Sequence, residues 1–101
     1  MKFSVMIATR NRVDDLRRTC QNISQWSPQA DEVIICADGC NDGTVQMINE
    51  EFSSFQLLEN PISIGSVGSR HRILEAAKGE FIICLDDDSY PLNKKFLSHI
   101  E

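Results

Sequence analysis

The chain has 101 residues, 42% of them apolar, enough to bury one small core and too apolar for a disordered segment. Its net charge of −5 is unevenly spread: residues 1–30 sum to +3, residues 31–90 to −9 and residues 91–101 to +1. An acidic middle excludes a grip on a nucleic-acid backbone, yet it allows one phosphorylated small molecule held through a metal ion. No apolar run approaches the roughly 18–20 residues of a membrane span, and the run from Val5 to Ala8 is too short for a signal peptide. A soluble chain in the cytoplasm is expected, with any contact to the cytoplasmic face of a membrane made by parts not present here. Of the four cysteines, Cys20, Cys36 and Cys84 read as small buried hydrophobes. Cys36 and Cys40 have no second Cys or His pair to complete a structural zinc site.

In chain order, residues 2–8 form a short run rich in branched apolar side chains that ends in Thr9-Arg10-Asn11-Arg12, a buried strand followed by a loop. Val13, Leu16, Cys20 and Ile23 then recur at helical spacing, with Asp14 and Asp15 in the first turn and Ser27-Pro28 as the stop. Residues 32–37 form a second apolar strand that breaks into Asp38-Gly39-Cys40-Asn41-Asp42-Gly43. Val45, Ile48 and Phe52 mark a second helix, with Asn41 or Asp42 as its cap. Residues 55–58 make a short third strand and residues 60–65 a loop. Val67, Ile73, Leu74 and Ala77 line a third helix that Lys78-Gly79 should end. Residues 81–85 are the fourth strand, which runs into Asp86-Asp87-Asp88, and after Pro91 a further helix begins.

Strands alternating with crossover helices predict an α/β fold: an open, mainly parallel, doubly wound sheet of about four strands. Strands one, two and four read as continuous apolar runs, as when both faces are covered. Ligands of such sheets bind beyond the carboxyl ends of the strands, where this chain collects Thr9 to Arg12, Asp38 and the three aspartates. Three consecutive carboxylates after a buried strand repel one another and call for a hard divalent cation or raised pKa values. In extended chain Asp86 and Asp88 would face one ligand and Asp87 elsewhere. Arg70, in the third helix, could reach an anion there; His71 and Trp26 read as surface and packing residues.

Four blocks in order also carry a resemblance: SVMIATRNR at residues 4–12, EVIICADGCNDGT at 32–44, NPISIGSVGSRHR at 60–72 and FIICLDDDSYP at 81–91. Together they resemble the N-terminal, nucleotide-sugar-binding half of glycosyltransferase family 2, which has the Rossmann-like GT-A fold. The resemblance implies an inverting, metal-dependent transfer of a sugar from a nucleoside-diphosphate donor to an acceptor hydroxyl. Thr9, Arg10, Asn11, Asp38, Arg70, Asp86 and Asp87 would line the nucleotide, with Asp38 at the nucleobase and Arg70 helping to hold the nucleotide. Asp86 and Asp88 would be the acids of the family's DXD motif, the first nearer the ribose and the second nearer a manganese or magnesium ion. Ala37, Arg10 and His71 depart from the family's usual acid, aromatic and asparagine.

The resemblance makes residues 1–101 a single partial domain. The acceptor site and the catalytic base, a carboxylate, are expected beyond Glu101, and exposed apolar surface or self-association of the piece is expected with them. Two alternatives remain at this level. A nucleotidyltransferase would want a glycine-rich loop after the first strand, and Thr9 to Arg12 has no glycine. A receiver-like phospho-acceptor module would want an acid pair directly after that strand, and Asp14 and Asp15 come several residues late.

Overall fold

The structure, a computed structural model, describes residues 2–99. Its elements follow the order β1 (Phe3–Thr9), α1 (Val13–Ser24), β2 (Glu32–Asp38), α2 (Thr44–Glu51), β3 (Gln56–Asn60), α3 (Gly65–Ala76) and β4 (Phe81–Leu85), then a single 3-10 turn at Phe96–His99. The four strands form one parallel sheet in the order β3-β2-β1-β4. The first two crossovers step one way along the sheet and the third steps back over it. Right-handed connections therefore put α1 and α2 on one face and α3 on the other.

The two faces follow the strand pleat. Phe3, Val5, Ile7, Val33 and Ile35 join Leu16, Cys20, Ile23, Met47 and Ile48 in the larger core beneath α1 and α2. Met6, Ile34 and Cys36 meet Ile73 of α3 on the other face. Trp26 completes the larger core, its indole N–H donated to Asn22 Oδ1 at 2.9 Å and its ring 5.4 Å from that of Phe96. Asp42 does the work of a cap without occupying the cap position, which Gly43 takes at φ 90°. Its Oδ1 accepts the Thr44 N–H at 3.2 Å and its Oδ2 accepts the Val13 N–H at 3.0 Å, so one carboxylate ties the starts of α2 and α1.

Several expectations are corrected. β4 lies at the sheet edge, so Ile82 and Cys84 are exposed rather than buried. A strand with one neighbour and no helix above that face cannot be covered on both sides. The third strand runs two residues further than expected and carries Asn60 into a buried position. Val67 and Leu74 of α3 point outward, because the sheet meets the helix along Ser69 and Ile73. Among the described residues, the helix expected after Pro91 is the turn at Phe96–His99, with Leu97 fully buried; residues 100 and 101 of that expectation lie outside the described residues. Among the described residues no helix is long and apolar enough to cross a membrane.

Gly79 does not end α3, which gives way to extended backbone at Ala77. It is needed because the chain passes close to β1: a Cβ there would sit 2.8 Å from Ser4 N, and its own N–H donates to Ser4 Oγ at 2.8 Å. Gly79→Ala should lower the unfolding free energy by on the order of 1–3 kcal/mol. Urea denaturation checks this, and an unchanged midpoint would show that the β1–β4 approach can relax.

Candidate functional site

The strand order reverses between β1 and β4, and polar side chains gather there and at the carboxyl end of β2. A crevice of about 260 Å³ opens at that edge, with Thr9, Arg10 and Asp38 on its sheet side. The segment leading into α3 supplies the other wall through Ser63, Gly65, Ser66 and Ser69.

Asp38 is 4% exposed and already engaged. Its carboxylate accepts from Ser63 Oγ at 2.7 Å, Ile64 N at 2.7 Å, Gly65 N at 3.0 Å and Asn60 Nδ2 at 3.0 Å. Four donors match the capacity of one carboxylate. Two of them are the first amides of α3, so the helix dipole also favours the charge. Burial alone would push this carboxyl up; the four hydrogen bonds outweigh it and hold the group at about 2. Asn60 extends the network, donating also to Ser69 Oγ at 3.0 Å while its Oδ1 accepts from Arg72 at 2.5 Å. Asp38 thus clamps β2, β3 and α3 together and forms the crevice floor.

Across β1, the chain turns instead of staying extended after β4: Ser89 N donates to Asp86 O at 3.3 Å. Asp87 is buried within this turn. Its Oδ2 accepts from Thr9 Oγ1 at 2.8 Å, and its backbone carbonyl accepts from Thr19 Oγ1 at 2.8 Å. Burial raises the Asp87 carboxyl above the usual carboxylate range, against the pull of Thr9 and Arg12. Asp86 and Asp88 are exposed, and different arginines meet them. Arg70 Nη2 lies 3.7 Å from Asp86, and Arg12 Nη2 lies 3.2 Å from Asp88. The turn therefore does not present the two acids as one bare pair, which extended chain would have done. Asp87, then Asp88, raise the Arg12 guanidinium above its ordinary value.

Asn11 adopts a left-handed φ of 54°. Its Oδ1 accepts the Asn41 N–H at 2.8 Å, joining the loops after β1 and β2. Cys40 belongs to the same junction, its thiol 3.7 Å from Thr9 O. Asp14 and Asp15 pair with Arg17 and Arg18 on α1, and Asp15 also meets Arg12 at 3.4 Å. His71 pairs with Glu75 on the exposed flank of α3 at 2.9 Å.

Thr9, Arg10 and Asp38 thus share the crevice, while Arg70, Asp86, Asp87 and Asp88 lie at its β4 side. Sequence reasoning missed Ser63, Ser66 and Ser69, and gave Arg12 no task. Arg12 had a legible signal: a cation at the end of the strand next to a triple acid.

The arrangement is an open, doubly wound α/β sheet with a polar crevice and an acidic turn either side of the central strand. Residues 4–101 match the family described as Glycosyl transferase family 2, and the chain belongs to that family. It is 32% identical over 98 residues to the UDP-Glc:alpha-D-GlcNAc-diphosphoundecaprenol beta-1,3-glucosyltransferase WfaP of Escherichia coli, covering 96% of this chain and 39% of that protein. It is 30% identical over 97 residues to the poly(ribitol-phosphate) beta-glucosyltransferase of Bacillus spizizenii, covering 89% and 15%. Among solved structures, Staphylococcus aureus TarS 1–349 superposes with a TM-score of 0.85 at 25% identity, over 99% of this chain and 31% of that one. The mannosyltransferase PcManGT of Pyrobaculum calidifontis, solved with GDP-Man and Mn2+, shares the fold with a TM-score of 0.88 at 20% identity, over 96% and 30%. The chain spans well under half the length of each of these proteins.

Asp38→Asn would turn an acceptor of four hydrogen bonds into a group that also donates. It should cost on the order of 2 kcal/mol of stability at neutral pH. The native carboxyl lies below its unfolded value of about 3.9, so its contribution is complete above that value and is lost as pH falls toward about 2. Chemical denaturation of both proteins across this range should show a gap that closes in acid. A gap that is absent at pH 7, or constant with pH, would contradict the clamp.

Proposed function

We propose that residues 1–101 are the donor-binding portion of an inverting, metal-dependent glycosyltransferase that moves a sugar from a nucleoside-diphosphate donor to an acceptor hydroxyl. The observation that carries this reading is the placing of the crevice and the acidic turn on opposite sides of the end of β1. A nucleoside can lie on one side while its diphosphate reaches the other. Family membership supports the reaction class. A uridine diphosphate donor is supported by the UDP-Glc activity of WfaP and by the TarS structure solved with UDP.

In this reading Thr9, Arg10 and Asn11 form the edge beside the nucleotide, and Asp38 holds the wall against which the base sits. Arg70 and Asp86 face the ribose and diphosphate. The donor set fits a divalent cation: Asp86 and Asp88 offer hard carboxylate oxygens that suit magnesium or manganese. Among the described residues no three His, Cys, Asp or Glu side chains converge on one point, so the donor's phosphates would complete the coordination. Bound there, the ion supplies Lewis-acid stabilisation of the leaving diphosphate. Asp87 keeps the turn in register by holding Thr9. The acceptor site and the general base for its hydroxyl we place outside residues 1–101.

Calorimetric titration with uridine diphosphate should show binding that depends on Mn2+, and Asp88→Ala should weaken it about tenfold or more. Because Asp88 is exposed, the variant's stability should stay within about 0.5 kcal/mol of wild type. Metal-independent binding, or unchanged affinity in Asp88→Ala, would contradict the assignment.

A further inference from the structure

The proposed donor site leaves Arg12 unexplained. It sits on the loop after β1 and reaches Asp88 Oδ2 at 3.2 Å, Asp87 Oδ1 at 3.7 Å and Asp15 Oδ2 at 3.4 Å. Across the turn Arg70 meets Asp86 at 3.7 Å. Two guanidinium groups thus supply the charge that a single divalent ion would bring. Asp87 cannot leave this corner, because Thr9 and Thr19 hold its side chain and its carbonyl. Arg12 and Asp88 can separate, since about half of each side chain is exposed.

We propose that Arg12 is the resident counter-cation of the acidic turn, and that a divalent cation enters by exchange with its guanidinium. The proposal rests on the donor-site reading above and adds a specific residue to it. An ion that takes Asp88 Oδ2 must displace Arg12, so the bare ion binds more weakly than two free carboxylates would allow. The displaced guanidinium is a planar fork of donors, suited to a phosphate arriving with the ion. Arg12 therefore opposes the metal alone and favours the metal together with the nucleotide. By linkage, the ion and the diphosphate each strengthen the other, and Arg12 contributes to that coupling.

The test is a titration of the purified chain with Mn2+ alone, following the free-ion signal by electron paramagnetic resonance, with uridine diphosphate added in a second series. Arg12→Gln should bind Mn2+ alone about three- to fivefold more tightly than wild type, the scale of one exposed ion pair. With saturating Mn2+, the same variant should bind uridine diphosphate more weakly. Arg12→Lys keeps the charge and should bind Mn2+ alone nearly as wild type does. Arg17→Gln removes the same charge from a pair with Asp14 and Glu51, away from the turn, and should leave Mn2+ affinity unchanged. The proposal fails if Arg12→Gln binds Mn2+ no more tightly than wild type, total absence of binding included, or if Arg17→Gln tightens it equally. A failure of the donor-site reading shows separately, as absent uridine diphosphate binding in the wild-type protein.

Discussion

The position of Asp87 governs what its neighbours can do. With its side chain on Thr9 Oγ1 and its carbonyl on Thr19 Oγ1, this buried aspartate joins β4 to the end of β1 and to the middle of α1. The turn after β4 is thereby fixed against the central strand, and Asp86 and Asp88 are left in solvent on either side of it. Three adjacent carboxylates would otherwise be a liability. Here one is buried against Thr9, and the other two are each matched by an arginine from a different element. The acidic cluster is thus a set of three unlike groups.

Asp38 makes the complementary arrangement on the other side of β1. It is as buried as Asp87 and has more partners, and its charge is held by four protein donors at the start of α3. A crevice between a sheet edge and a helix terminus tends to collapse or to open unless something spans it. The Asp38 carboxylate spans it, with Asn60 and Arg72 continuing the connection behind it. Both walls are therefore set before any ligand arrives, which is the condition under which a binding site loses least affinity to ordering.

Much of the fold was legible because the apolar runs were long and the helical spacing of Val13, Leu16, Cys20 and Ile23 was regular. Burial was less so. β4 reads as a fully covered strand, yet its place at the sheet edge exposes Ile82 and Cys84, and strand order is not written in the run itself. α3 misled for a related reason: it carries apolar residues around its circumference, so Val67 and Leu74 were indistinguishable from Ile73 until the sheet chose a face. At the site, the strand-end acids could be found by position, but their division of labour could not. Asp38 and Asp87 differ from Asp86 and Asp88 in burial and in the donors that reach them, and those donors come from Asn60, Ser63, Ile64, Gly65, Thr9 and Thr19, far off in the chain. Arg12 could be found in the same way, as a cation at a strand end, and the pairing of β1 with β4 gives it Asp88 as a partner.

The central claim is that a divalent ion and a nucleoside diphosphate meet at the carboxyl end of β1, between the acidic turn and the start of α3. Paramagnetic broadening of backbone amide signals by substoichiometric Mn2+, with uridine diphosphate present, tests it directly. Signals from residues 9–12, 63–70 and 86–88 should be lost first, while those of Ser4, Glu32 and Gly79 at the opposite edge of the sheet persist. Broadening spread evenly over the chain, or centred on that opposite edge, would contradict the account.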